Sequence, residues 1–290
     1  MNAFFFGIGF SSTAASIRMR LSGQYANIGG TVRSQEKAML LRSQGVNAHV
    51  FDGTAPGATL GPDLRQASHV VLSIAPGAEG DPALVHHRAD LDAAADLEWL
   101  CYYSTVGVYG DFGGAWIDES APLVPRNERS DRRVLAEQAW RNYAARRGIK
   151  LTILRLAGIY GPGRSTFDKL RDGTARRVVK PGQVFNRIHV EDIARVTALA
   201  AEARLDGTFN LGDDEPAPPQ DLVTHAAALL GMTPPPEIAY ADAEFTPMQR
   251  SFYTDNKRVS NGAIKQALGI DMLYPTYREG LAAIFEKERA

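Results

Sequence analysis

The chain has 290 residues, 44% of them hydrophobic and 22% charged, with a formal net charge of -1. Such a composition belongs to an ordinary globular protein with room for one large domain or two that share a core, and it excludes a disordered or fibrous chain. The balanced charge leaves no electrostatic footprint for nucleic acid or an anionic membrane surface, so a small molecule is the expected partner, and a single cysteine, Cys101, excludes an internal disulfide or a cysteine-built zinc site.

Met1 runs straight into the apolar Ala3-Phe4-Phe5-Phe6, with no basic n-region and no small-residue cleavage site, and no stretch approaches the ~18 apolar residues of a membrane-spanning helix. A cytoplasmic protein is therefore expected. Short apolar runs predict strands over 3–6, 27–32, 48–51, 70–74, 100–104 and 151–156, separated by amphipathic runs that predict helices over 13–21, 35–42, 82–97 and 132–147. The third helix opens on Asp81 as N-cap with Pro82 at its first position. This alternation predicts βαβ units and a parallel sheet covered on both faces. Beyond residue 156 the pattern breaks at Gly161-Pro162-Gly163-Arg164, and two further strands (184–190 and 208–211) lie among helices and Pro-rich joints at 216–219 and 234–236. The expected fold is α/β: a Rossmann-like, doubly wound parallel sheet formed by 1–160 with 187–212, and a smaller, partly discontinuous substrate lobe formed by 161–186 with 213–290.

The first strand is followed by Gly7-Ile8-Gly9-Phe10-Ser11-Ser12 and a helix start. Gly7 permits the tight turn, and Gly9 lets the backbone approach a pyrophosphate held by the N–H groups of Phe10, Ser11 and the helix end. Ser12 stands where a dinucleotide fingerprint has its third glycine; it is small enough to pack near the strand, and its hydroxyl is a candidate phosphate contact. The second strand ends in Val32-Arg33-Ser34, without the carboxylate that usually holds an adenosine ribose. Arg33 offers a fork of donors for a 2′-phosphate and Ser34 adds a hydroxyl, so NADP(H) is the preferred cofactor, with NAD(H) as the alternative. Asp52, Ser73 and Ala75, at the ends of the third and fourth strands, complete the candidate cofactor residues of this half.

Later segments carry a specific resemblance. Tyr103-Ser104-Thr105-Val106-Gly107-Val108-Tyr109-Gly110, Arg155-Leu156-Ala157-Gly158-Ile159-Tyr160-Gly161-Pro162-Gly163, Asn186-Arg187-Ile188-His189-Val190-Glu191-Asp192-Ile193-Ala194 and Thr208-Phe209-Asn210-Leu211-Gly212-Asp213-Asp214 occur in this order. Together they resemble the extended short-chain dehydrogenase/reductase superfamily, the NAD-dependent epimerase/dehydratase family. The resemblance implies that Thr105 polarises the reacting oxygen of a substrate, that Ala157 and Gly158 pass the nicotinamide, and that Arg164 and Asn186 face the substrate. The family's Tyr-x-x-x-Lys pair falls on Arg129 and Arg133, fixed in register by the following Ala136-Glu137, so the chain resembles an atypical, YeeZ-like subgroup that lacks the pair.

Arginine stays protonated and cannot exchange a proton as a tyrosinate does. Arg133 is then a candidate contact to the nicotinamide ribose and Arg129 to an anionic substrate group, while Tyr109 or Tyr160 is the candidate substitute acid. The Tyr253 to Lys257 spacing lies far downstream and is read as coincidence. Adjacent His86 and His87 point to different faces of a helix and lack metal-ligand spacing, so no metal is expected. Two readings remain: a nicotinamide-dependent reductase or epimerase of a carbonyl or sugar-like molecule, or a catalytically inactive protein that senses NADP(H) redox state. A homodimer is compatible with either, since members of the family often pair through the helices flanking the fifth strand.

Overall fold

The computed structural model describes residues 1–289, with the side chains of residues 247 and 248 outside the description. The N-terminal half runs β1 (Asn2–Phe6), α1 (Phe10–Leu21), β2 (Asn27–Val32), α2 (Gln35–Ser43), β3 (Asn47–Val50), α3 (Gly61–Arg65), β4 (His69–Leu72), α4 (Pro82–Asp92) and β5 (Trp99–Thr105). It continues through β6 (Trp116–Ile117), α5 (Glu128–Arg147), β7 (Lys150–Leu156), β8 (Gly158–Tyr160), α6 (Thr166–Arg171), β9 (Arg177–Val179), β10 (Arg187–His189), α7 (Val190–Glu202) and β11 (Gly207–Leu211). The last part holds α8 (Pro219–Leu229), β12 (Glu237–Ala239), α9 (Pro247–Phe252), β13 (Arg258–Val259), α10 (Gly262–Leu268) and α11 (Tyr277–Arg289).

The main sheet has seven strands in the order β3-β2-β1-β4-β5-β7-β11, and every pairing from β3 through β5 is parallel. This is the Rossmann-like α/β fold expected from the alternation of short apolar and amphipathic runs, with small two-stranded sheets (β8 with β10, β9 with β12, β6 with β13) beyond it. Strand order reverses between β1 and β4, which creates a crevice outside the carboxyl ends of those strands. Phe4, Phe6, Leu72, Leu100, Tyr102 and Trp140 are fully buried in one core that joins the sheet to its helices. No helix among the described residues is long and apolar enough to cross a membrane.

Local chemistry explains most boundaries. Asp81 Oδ1 accepts the Ala83 N–H at 2.9 Å and Pro82 follows it, so α4 begins where its cap predicts. The helix stops at Asp92 rather than at residue 97 because Arg147, from α5, donates to the carbonyls of Leu91 (2.6 Å) and Ala94 (3.0 Å) and satisfies the end of the helix from outside. The strand expected over 184–190 shrinks to Arg187–His189, since the His189 ring accepts the Glu191 N–H at 3.2 Å and starts α7 at once.

The chain divides into two compact units. The first comprises Met1–Val108, Pro125–Arg155 and Ile193–Phe209; the second comprises Tyr109–Val124, Leu156–Asp192 and the chain from Asn210 onward. The strongest polar tie of the first unit is centred on Glu137 of α5, which is 0% exposed. Its carboxylate accepts from Arg155 Nη2 at 2.8 Å and Nε at 3.1 Å, from Ser104 Oγ at 2.6 Å and from Arg141 Nη2 at 2.9 Å. Burial alone raises the Glu137 carboxyl, but the hydrogen bonds and charge of Arg155, the Ser104 hydroxyl and the charge of Arg141 outweigh it and hold the group below its ordinary value of 4.5.

A depressed carboxyl stabilises the fold above its unfolded value, and that stability is lost as pH falls through the folded value. Glu137→Ala, which strands Arg155, is expected to cost about 3–5 kcal/mol in urea unfolding at pH 7. Glu137→Gln should also flatten the loss of stability that the parent shows below pH ~4.5. Parallel acid limbs for parent and Glu137→Gln would show that the cluster is not the titrating tie.

Candidate functional site

In the first unit, the turn after β1 is built from both sides. Gly7 has φ +90°, and a Cβ there would lie 2.8 Å from Ile74 Cγ2. Its N–H donates to Thr31 Oγ1 at 2.8 Å, and the next N–H, of Ile8, donates to the Thr31 carbonyl at 2.7 Å. Thr31, buried at 0% exposure inside β2, was not read as a site residue; a polar residue in the middle of an otherwise apolar strand is the signal that marks it. Gly9 is the N-cap of α1, is exposed, and a Cβ on it would meet nothing within 4 Å. The first turn of α1 carries no acidic residue, so a pyrophosphate approaching Gly9 meets backbone and the positive end of the helix dipole.

Ser12 requires a correction. Its hydroxyl is wholly buried and has no hydrogen-bond partner, so it fills the close-packing place of a third glycine and does not open toward the phosphate side of the turn. Phe10 and Ser11 begin the helix as expected, Phe10 half-buried and Ser11 buried.

Arg33, just beyond β2, is exposed, and no carboxylate among the described residues is bonded to it. Ser34 caps α2 by accepting the Lys37 N–H at 3.3 Å, which leaves its own O–H as a donor. Asp52 Oδ1 accepts the Thr54 N–H at 2.9 Å and the Thr54 hydroxyl at 2.7 Å, and these bonds hold its carboxyl below the usual value. Gly53 and Thr54 line a cavity of about 270 Å³ with the loop after β4 and the start of α4, at the carboxyl ends of β3 and β4. In that loop Ser73 donates its N–H to the Phe6 carbonyl at 2.9 Å, and Ala75 is exposed.

At the end of β5, the half-buried Thr105 accepts the Gly107 N–H on Oγ1 at 3.1 Å. Asn127 caps α5 by accepting the Ser130 N–H at 2.9 Å, which sets the helix start that carries the two arginines. Arg129 is exposed. Arg133 Nη1 donates to the Tyr103 carbonyl at 2.5 Å and to Tyr102 Oη at 3.2 Å, with its guanidinium 5.6 Å from the Tyr102 ring centre. One edge of that guanidinium therefore anchors α5 to β5.

The second unit holds the other sequence-derived residues, and here the expectation changes most. Tyr109 is 0% exposed and its hydroxyl donates to Asn210 Oδ1 at 2.7 Å. Tyr160 is buried with its hydroxyl against Gly280, where any Cβ would overlap it, and burial followed by the charges of Asp213 and Asp192 pushes its ionisation far above that of a free phenol. Neither phenol presents an open oxygen to a reacting atom, so the proton-donor role expected for them does not fit this structure. Asn186 is also occupied: Nδ2 donates to the Lys257 carbonyl at 2.9 Å and Oδ1 accepts the Val259 N–H at 2.8 Å, a clamp on the chain and not a substrate contact.

Ala157 donates to the Leu211 carbonyl and Gly158 to the Asn186 carbonyl, both at 3.0 Å, while Arg164 is exposed in the Gly161–Arg164 turn. Tyr253 packs with Phe185, Tyr240 and Phe245, and Lys257 Nζ donates to the Gly110 carbonyl at 2.6 Å, so the downstream Tyr-x-x-x-Lys spacing is structural. His87 accepts the Gly57 N–H at 2.9 Å and bonds Asp90 at 3.0 Å; among the described residues no three His, Cys, Asp or Glu side chains gather as a metal site.

Residues 87–212 match the NAD dependent epimerase/dehydratase family. Over its full length the chain is 25% identical to a Methylobacillus flagellatus protein assigned to the NAD-dependent epimerases/dehydratases, with a TM-score of 0.72 and 99% of that chain covered. The family match spans 126 residues, a little under half of the chain. A conserved Silicibacter pomeroyi protein of unknown function is 41% identical over 100% of this chain and 99% of its own, with a TM-score of 0.88. The Escherichia coli protein YeeZ is 27% identical over 242 residues, 79% of this chain and 84% of YeeZ. A Streptomyces 3-diazoavenalumate denitrifying reductase is 30% identical over 143 residues, so the match spans less than half of either protein, 44% of this chain and 45% of the reductase.

The first βα turn suits a dinucleotide: Gly9 is open, the helix start carries no acidic residue, and Arg33 is exposed. The two glycines separate folding from binding. Gly7→Ala is expected to cost about 1–3 kcal/mol of stability, from positive φ and the Ile74 overlap. Gly9→Val should unfold at the parent's midpoint yet bind NADP(H) at least tenfold more weakly, equivalent to about 1.4 kcal/mol. Thermal unfolding and calorimetric titration of both variants check this; unchanged affinity in Gly9→Val would move the dinucleotide elsewhere.

Proposed function

We propose that this protein is a nicotinamide-dependent reductase or epimerase of a carbonyl or sugar-like small molecule, that it prefers NADP(H), and that Thr105 polarises the reacting oxygen. The observation that carries the cofactor preference is Arg33: an exposed guanidinium at the tip of β2, where no carboxylate stands to hold a ribose hydroxyl or repel a 2′-phosphate. Arg33 and the O–H of Ser34 would hold that phosphate, Gly9 with the start of α1 the pyrophosphate, and the Asp52–Thr54 segment the adenosine end. When bound, the nicotinamide donates or accepts a hydride.

The remaining chemistry belongs to side chains of β5 and α5. Thr105 Oγ1 already accepts from Gly107, so its own proton is directed outward as a donor to the substrate oxygen. Arg133, tied to Tyr103, holds a fixed positive charge beside that position and keeps its remaining donors for the nicotinamide ribose. Arg129, exposed one turn earlier, suits an anionic group on the substrate. Neither arginine exchanges a proton at neutral pH, which favours reduction over epimerisation: a nicotinamide-dependent epimerase must take the hydroxyl proton as hydride leaves and return it as hydride comes back, whereas a reductase needs only one proton, which solvent can supply. The similarity to a reductase over 143 residues supports the same choice.

The burial of both phenols, Tyr109 and Tyr160, favours a second reading: a protein that binds NADP(H) without turnover and reports its redox state to a partner. NADPH consumption across a panel of aldehydes, ketones and nucleotide sugars separates the two, because steady turnover abolished by Thr105→Val is expected of the enzyme alone. For the cofactor itself, a charge-assisted hydrogen bond contributes about 1.5–3 kcal/mol, so the parent should favour NADPH over NADH by roughly tenfold to a hundredfold. Arg33→Ala should erase most of that ratio by weakening NADPH alone. Equal affinities in the parent protein would refute the preference.

A further inference from the structure

The second unit contains buried polar side chains that its own hydrogen bonding does not complete. The hydroxyls of Tyr160 and Tyr277 are inaccessible and have no hydrogen-bond partner among the described residues, and the Asp213 carboxyl, equally inaccessible, has at most the Glu215 N–H. Arg187, buried as well, uses Nη1 for the carbonyls of Phe185 and Ala217, each at 3.1 Å, and lies with its guanidinium 5.7 Å from the Tyr277 ring centre.

The backbone brings these side chains together. Asp213 follows β11 and donates its N–H to the Arg187 carbonyl at 2.6 Å. Arg187 opens β10, whose parallel partner β8 ends at Tyr160, and Gly280, one turn beyond Tyr277 on α11, packs directly on the Tyr160 hydroxyl. Asp213, Tyr160 and Tyr277 are each close enough to the Arg187 guanidinium to feel its charge, although none is bonded to it.

We propose that Asp213, Arg187, Tyr160 and Tyr277 form a built internal water site, in which ordered water bridges the carboxyl to the phenols and the guanidinium. Water both donates and accepts, so it completes the phenols and the Asp213 carboxyl whether or not that carboxyl holds its proton, and buried waters satisfy such otherwise orphaned groups.

Burial pushes the Asp213 carboxyl up to about 8, against the opposing charge of Arg187 and a backbone hydrogen bond from Glu215, so near neutral pH the carboxyl holds a proton that it can donate to the water. Asp214 and Glu215 add to the rise on Asp213, Asp192 and Glu279 face Tyr160, and Asp221 faces Arg187, so the guanidinium is the cation that offsets this acidic surround.

The test is a crystal structure of the full chain at a resolution that shows ordered water, combined with water magnetic relaxation dispersion to count slowly exchanging internal waters. Density within hydrogen-bond distance of Asp213 and at least one phenol is expected. Asp213→Leu should lose the slowly exchanging water; if that variant does not fold, Tyr277→Phe, which keeps the ring and removes only the hydroxyl, should lose at least one. A direct Asp213 contact to Arg187 or a tyrosine with no water between them, an anion in the density, or the same number of slow waters in the parent and Tyr277→Phe would each overturn the proposal.

Discussion

The buried carboxylate of Glu137 fixes the end of the first unit that carries Thr105 and Arg133. A charge removed from water must be repaid by partners close at hand, and three elements supply them: Arg155 from β7, Ser104 from β5 and Arg141 from the next turn of α5 itself. Because Ser104 precedes Thr105, the bond that stabilises the carboxylate also sets the end of β5. Because Glu137 lies one turn beyond Arg133, the same bond fixes the rotation of α5 and aims Arg133 at the Tyr103 carbonyl. Thr105 and Arg133 are thus held in register by a cluster that lies outside the proposed site.

On the proposed reading, the register set by Ala136-Glu137 puts Arg129 and Arg133 where the family resemblance places a proton-exchanging pair. A lysine shifts its proton affinity readily with burial, whereas a guanidinium keeps its charge in almost any setting. Tyr102 reinforces this: its ring lies beside the Arg133 guanidinium and its hydroxyl accepts from it.

What the sequence made legible follows the range of the forces involved. The strand and helix alternation through residue 156 was readable because burial periodicity is local, and Asp81 with Pro82 marked the start of α4 through a bond spanning two residues. The end of α4 was not readable, since its carbonyls are satisfied by Arg147 more than fifty residues away. The glycine turn was visible in Gly7 and Gly9, but Thr31 and Ile74, which hold it, come from β2 and from the loop after β4. The phenols misled for the same reason. Motif position places Tyr109 and Tyr160 near a nicotinamide, while their environments are decided by Asn210 and Gly280, which only the fold brings close.

On the proposed reading, the loss of a tyrosine acid need not abolish hydride chemistry, and the magnitudes show why. General acid assistance typically contributes roughly 10²–10⁴-fold in rate, while a single preorganised hydrogen-bond donor aimed at a developing oxyanion contributes roughly 10²–10³-fold. The two ranges overlap. A hydride delivered to a carbonyl leaves negative charge on oxygen, and a fixed donor from Thr105 beside a permanent positive charge on Arg133 stabilises that charge without transferring a proton. Protonation can then follow from solvent after the hydride step. Such a site gives up the pH dependence of a tyrosinate and gains a field that does not titrate near neutrality. It also selects its substrates: those whose reduced form accumulates little negative charge, or which carry an anionic group for Arg129 to hold, lose least from the exchange of tyrosine and lysine for two arginines.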